Sequence, residues 1–452
     1  MLDRAKFAFA TQAGRIERFR RSKYNQPVVD NFLEKIGTTV IVLSSPRSGS
    51  SLLASALRRT DQVLHFQGAI TPFLAMCSLC YPESSDSDAL DASHGKSADF
   101  LAPYLAQECG TPLESIADRS ARDQFAVDLA IRLTMQWPEI DFDLEAVRAS
   151  VKHALEELVE DFGWQEGEFP DPAIFHAVFI RQLRNQYPAV NPYLYDLDAE
   201  IIRQVMPDVE RVSTLPSHRF VEMPPFITIR PWRRASLAEL SSKPVIIKTV
   251  ANTFRLPFLE AILPSSKFRI LHLTRSVAAS ANGMYDGWHH PGFWCARVDA
   301  ELSIPGYTDT YPEWGRHWWK FGLFPGWKDY ISSSPIDIAA QHWRVCHTTI
   351  LDWLCSHREQ ANDALRVHAE DFLSNTGRKA EAYSRIAAWL GIRLDAGLEF
   401  VSTNDLPLQL ATSNPAPQRW RKRHAELHHV IADQRNIELM KRLGYPEDTE
   451  LW

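Results

Sequence analysis

The chain has 452 residues, 45% hydrophobic and 23% charged, with 19 Gly, 28 Pro and 6 Cys. That composition excludes a disordered, collagen-like or disulfide-scaffolded chain. A net charge of -7 argues against a protein that wraps nucleic acid, so any bound anion is expected to be held locally. No apolar run approaches the ~20 residues that span a bilayer. Phe7-Ala8-Phe9-Ala10 is too short for a signal-peptide core, so a soluble, cytoplasmic protein without membrane partners is expected.

Residues 1–36 read as a lead-in helix or arm, with Arg18, Arg20, Arg21 and Lys23 on a solvated face. Thr38-Thr39-Val40-Ile41-Val42-Leu43 is β-branched and apolar throughout, as a strand covered on both faces should be. It runs into Ser44-Ser45-Pro46-Arg47-Ser48-Gly49-Ser50-Ser51, after which Leu52, Leu53, Ala56 and Leu57 follow helical spacing. Cys77 and Cys80 form a lone C-x-x-C, read as two small buried residues one helical turn apart.

The stretch from about 80 to 240 reads as a mostly helical insertion; Val151, Leu155, Leu158 and Phe162 mark one amphipathic face. Strand patterns resume at 244–248, 268–274 and 365–368. The last precedes a helix with Ala380, Tyr383, Ile386, Ala387 and Leu390 on one face and Gly391 at C′. Strands alternating with helices predict an α/β fold: a central parallel sheet with helices on both faces, in one domain over 37–452.

The turn after the first strand has the makings of an anion cradle. Backbone N–H groups of the turn and of the helix's first turn converge on one point, aided by the helix dipole. Ser48, Ser50 and Ser51 add hydroxyls and Arg47 adds a full charge. A triphosphate loop would read G-x-x-x-x-G-K-[ST]; here Ser44 replaces its first Gly and Ser50 its Lys, with the cation moved to Arg47. This argues against a Mg²⁺-triphosphate. The competing reading is a plain turn in which Ser50 or Ser51 merely caps the helix. Arg275, leaving the strand 268–274, and Lys248, ending another, fall where open α/β sheets bind ligands.

Ser-Ser-Pro-Arg-Ser-Gly-Ser-Ser-Leu-Leu at 44–53 resembles the 5′-phosphosulfate loop of the sulfotransferase superfamily. Arg275 with its following helix resembles that family's 3′-phosphate motif. Further matches are Lys248-Thr249, His368-Ala369-Glu370-Asp371-Phe372 and Arg419-Trp420-Arg421-Lys422, while the insertion is unmatched. The resemblance implies a site for 3′-phosphoadenosine 5′-phosphosulfate (PAPS) as co-substrate. Arg47, Ser48, Gly49, Ser50, Ser51 and Leu52 would hold the 5′-phosphosulfate, and Arg275 the 3′-phosphate bidentately. Lys248 would face the bridging oxygen, and Ser413 with Arg419, Trp420, Arg421 and Lys422 would close over the nucleotide. Arg and Lys supply the charge, so no metal is implied. The alternatives are a non-catalytic nucleotide-binding or scaffolding relative and a P-loop phosphotransferase.

Two departures stand out. Where the family's 3′-phosphate motif has a serine, this chain has Gly283; Ser280, Asn282 or backbone N–H groups could substitute. The family's histidine after Lys-Thr is Val250 here, and where other members carry a glutamate downstream of the loop arginine, His65-Phe66-Gln67-Gly68-Ala69 has no carboxylate. The base candidates are therefore His65, His218, Glu222, Asp286, His289 and His290, with Glu222 and His65 preferred. Six of the 14 tryptophans (288, 294, 314, 318, 319 and 327) crowd an aromatic-rich region over about 285–330. That region suits a lid over an apolar or aromatic small-molecule acceptor, or equally an aromatic minicore or a homodimer interface.

Overall fold

The computed structural model describes residues 2–194, 197–210, 228–290, 293–312, 315–372, 377–406, 412 and 416–448. Its strands are β1 (Thr38–Leu43), β2 (Leu64–Phe66), β3 (Cys109–Pro112), β4 (Trp232–Arg234), β5 (Val245–Lys248), β6 (Lys267–Thr274), β7 (Trp294–Arg297), β8 (Trp318–Lys320) and β9 (Leu365–His368). By contacts the chain divides into two units, the first comprising 1–32, 66–78 and 99–236, the second 33–65, 79–98 and 237–452.

The second unit carries parallel strands in the order β2-β5-β1-β6-β9. Alternate residues of β1 point to opposite faces, and Val40, Ile41, Val42 and Leu43 are all buried. Val40 and Val42 pack with Leu53, Leu57, Leu271, Leu273, Val367, Tyr383 and Ile386, so one face is covered by helices Ser50–Leu57 and Arg378–Leu390. Burying a side chain of this size contributes roughly 1.5–3 kcal/mol. β1 and β9 have the bounds expected from sequence, and helix Arg378–Leu390 ends at Gly391, in the left-handed region at φ 74°.

The first unit is mostly helical, with helices Leu2–Arg20, Arg119–Gln136, Leu144–Phe162 and Pro172–Arg184 and the antiparallel pair β3–β4. The lead-in is not a free arm: Ile16 and Phe19 are buried, and Gln12 Nε2 donates to the Thr134 carbonyl at 2.9 Å. Arg18 pairs with Asp141 at 2.7 Å, and Arg21 with Glu17. In helix Leu144–Phe162 the buried stripe is Val147, Val151, Ala154 and Leu158; Phe162 is 37% exposed. The stripe keeps the expected spacing but starts one turn earlier: Val147 and Ala154 take the places expected of Leu155 and Phe162. Buried Asp128 accepts from Gln107 and Gln124, and burial raises its pKa.

Cys77 follows the short helix Thr71–Met76 as its C-cap, and both Cys77 and Cys80 are only partly buried, so the pair is not the buried one-turn spacing expected. No helix among the described residues is long and apolar enough to cross a membrane.

Candidate anion site at the strand ends

β1 lies between β5 and β6, with Val42 level with Lys248 and Leu43 level with His272. Because all three run parallel, Ser44–Gly49, Lys248 and Arg275 leave the sheet at one edge, where open α/β sheets place ligands.

The loop is braced from within. Ser44, Ser45 and Ser48 are buried, and the Ser45 and Ser48 hydroxyls are hydrogen-bonded at 2.7 Å. Arg47 adopts φ 62° and Gly49 φ 81°. The left-handed turn suits glycine at 49 but is uncommon for arginine. Arg275 helps hold it, its guanidinium donating to the Arg47 carbonyl at 2.6 Å. Arg47 also lies over the Phe293 ring, 4.9 Å from the centroid, and reaches Thr412 Oγ1 at 3.4 Å.

Helix Ser50–Leu57 starts directly after Gly49 with no side-chain cap. The amides of Gly49, Ser50, Ser51 and Leu52 donate to no acceptor among the described residues. Neither serine therefore caps the helix, and the first-turn donors stay available, with the positive end of the dipole behind them.

Cations crowd these donors. Burial, then the charges of Arg275 and Arg419, lower the Arg47 pKa to about 10, with Asp286 opposing. Lys248 donates to Ser51 Oγ at 2.9 Å; burial first, then Arg58, lowers its pKa to about 8. Burial also lowers that of Arg275, whose Nε is buried without a partner, while Glu370 and Tyr445 favour its charge. Such mutual repulsion is relieved by an anion.

The departures at Gly283 and Ser280 have a steric setting. A Cβ on Gly283 would lie 3.2 Å from Arg47 Cβ, so a serine there would crowd the arginine stem. Ser280 is enclosed, its hydroxyl without a partner. Asn282 accepts from Arg423. Asp286 pairs with Arg419 at 2.7 Å and Arg423 at 3.1 Å. The sequence reading passed over Arg423. It closes the 3-10 helix Arg419–Arg423, and its signal was its place in the basic run Arg419-Trp420-Arg421-Lys422-Arg423. Trp420 is buried, whereas Arg421 and Lys422 are exposed.

Of the base candidates, His65 is 2% exposed on β2, and burial with Arg58 lowers its pKa to about 3. Burial, then Lys320 and Arg423, also lowers His289. The His290 carbonyl accepts from Lys320. His218, Glu222 and Ser413 lie outside the described residues.

The tryptophans form an interior. Trp288, Trp319 and Trp327 are each at most 1% exposed, with ring centroids 5.3 Å (288–319) and 5.1 Å (319–327) apart. Tyr307 packs edge-on to Trp288 and donates to the Trp318 carbonyl at 2.6 Å. Buried Lys320 donates to the Gly287 carbonyl at 3.1 Å, closing the end of helix Val277–His289. These three tryptophan rings pack on one another and are enclosed, the arrangement that the minicore reading describes. Trp314 lies outside the described residues.

No protein-family model matches the chain, and no curated protein sequence does. Solved structures similar to it include the sulfotransferase domain from the curacin biosynthetic pathway: 10% identity, TM-score 0.34, 91% of this chain and 99% of that one covered. Another is the sulfotransferase domain from the Synechococcus PCC 7002 olefin synthase: 13% identity, TM-score 0.35, 93% and 99% covered.

Proposed function

We propose that the chain is a cytoplasmic sulfotransferase that uses PAPS to modify a hydroxyl or amine of a small-molecule acceptor. The observation that carries this is the uncapped helix N-terminus at Gly49–Leu52, ringed by Arg47, Lys248 and Arg275. The donor set is all N–H, ammonium and guanidinium, which fits a sulfated, doubly phosphorylated nucleotide. When bound, PAPS supplies the sulfuryl group and departs as 3′,5′-ADP.

In this reading the Gly49–Leu52 amides and Arg47 hold the 5′ anion, and Arg275 takes the 3′-phosphate while fixing the Arg47 backbone. Lys248, steadied by Ser51, offsets charge that grows on the leaving oxygen, the kind of electrostatic positioning sulfuryl transfer needs. Arg419 with Arg423 forms the C-terminal flank. His65, with its pKa near 3, is neutral at pH 7 and a weak base. An acceptor of low pKa, such as a phenol, lessens the need for one.

A second reading, nucleotide binding without transfer, is favoured by two features: both oxygens of Asp286 are taken by guanidiniums, and His65 is enclosed. Calorimetric titration with 3′,5′-ADP in EDTA, against 5′-ADP and Mg-ATP, tests the shared premise. Metal-independent binding of 3′,5′-ADP that is lost in Arg275→Ala is expected. Preference for Mg-ATP would overturn both readings. Label transfer from radioactive PAPS then separates them.

A further inference from the structure

A cavity lies in the same unit, lined by none of the residues of the loop 44–51. Helix Pro335–Ser356, the short helix Arg358–Asn362 and strands β6 and β9 line this cavity of about 500 Å³, which is open to solvent and within the size range of small-molecule pockets. Its wall is apolar where Leu351 and Leu354 line it, and its charged lining is two arginines, Arg358 and Arg366. Neither has a carboxylate partner among the described residues. Arg366 spends one N–H on the Arg442 carbonyl at 2.8 Å, and its Nε is buried without a partner.

The cavity's inner wall adds a second unsatisfied group. His272, 1% exposed, lines it and is bonded through Nε2 to His347 Nδ1 at 2.9 Å. That leaves His272 Nδ1 and His347 Nε2 buried with no partner. Burial and the nearby Arg366 charge hold both imidazoles neutral, so the arginines are the cations an incoming ligand meets. Of the two outer imidazole nitrogens, one is a donor and the other an acceptor; that donor and the Arg366 Nε–H are buried beside apolar side chains, which is costly unless a ligand supplies acceptors.

We propose that this cavity binds an organic carboxylate with an apolar tail, the carboxylate between Arg358 and Arg366 and the tail against Leu351 and Leu354. Charge complementarity selects the anion, and the apolar lining selects the tail.

Cys355, exposed and lining the cavity, supplies a local readout, since a bound ligand must cover it. The probe is sodium octanoate on the full chain, read by calorimetry and by the rate of Cys355 alkylation followed by peptide mass spectrometry. Saturable binding that slows Cys355 alkylation is expected. Acetate (charge without tail) and octanol (tail without charge) should each bind at least about tenfold more weakly. Arg358→Glu, at an exposed position, should weaken octanoate about tenfold with an unchanged melting temperature. Leu354→Trp, which fills the cavity, should also weaken octanoate about tenfold. The proposal is overturned if octanoate leaves Cys355 unprotected. It is equally overturned if octanol or acetate matches octanoate, or if folded Arg358→Glu binds it as the parent does.

Discussion

The Arg275 guanidinium donates to the main-chain carbonyl of Arg47 at 2.6 Å, holding a non-glycine residue at φ 62°. One arginine thus shapes the loop that presents another. Loop geometry and site charge are linked, and substitutions around this pair should change both.

Gly283 shows the linkage sterically. Gly283→Ser places a Cβ 3.2 Å from Arg47 Cβ. The expected outcome is a loss of about 1 kcal/mol in stability and weaker 3′,5′-ADP binding, read by thermal melting and calorimetry. Tighter binding at unchanged stability would show that the serine is tolerated and that packing is not why glycine stands there.

Lys248 should trade stability for function. Its folded pKa of about 8 lies below the ordinary 10.5. Between those values the unfolded chain binds more protons than the folded one, so this group's contribution to stability rises with pH through that window. Below pH 8 the burial penalty is fully present. Lys248→Met should therefore stabilise at pH 7, by up to about 3 kcal/mol, remove that part of the pH slope and abolish transfer. Denaturant melts of both proteins from pH 7 to 10.5 check the sign.

Asp286 is expected to act structurally. Both carboxylate oxygens are engaged, by Arg419 and Arg423. Asp286→Asn should cost about 1–2 kcal/mol while the sulfuryl transfer rate stays within a few-fold of the parent. A thousandfold fall in turnover by a stably folded variant would instead identify it as the base.

Trp319 separates a minicore from an acceptor wall. Fully buried against Trp288 and Trp327, it should cost about 3–5 kcal/mol on conversion to alanine. A variant that kept its melting temperature but lost acceptor affinity would favour the wall.

Features set by short-range pattern were readable in the sequence. β1 is an apolar, β-branched run between Gly37 and Ser44, β9 alternates Leu365 and Val367 with Arg366 and His368, and the edges of both fall where expected. The strand–turn–helix at 38–57 was equally plain, since Gly49 and the hydroxyl run mark it locally. Features set by long-range packing were not readable. Leu155 and Phe162 satisfy helical spacing, but which residues face inward depends on neighbours distant in sequence. The tryptophan cluster likewise gives no sign of whether its rings turn inward or line a ligand. Asp286 and the pair Arg419 and Arg423 lie more than 130 residues apart, so their charge balance appears only in three dimensions.

The most direct measurement is a crystal structure of the protein with 3′,5′-ADP. The 5′-phosphate is expected over the amides of Gly49–Leu52, within reach of Arg47 and Lys248, with the 3′-phosphate on Arg275. A nucleotide bound elsewhere, or a helix N-terminus left without phosphate contact in the complex, would contradict the assignment of the strand-end cradle as the nucleotide site.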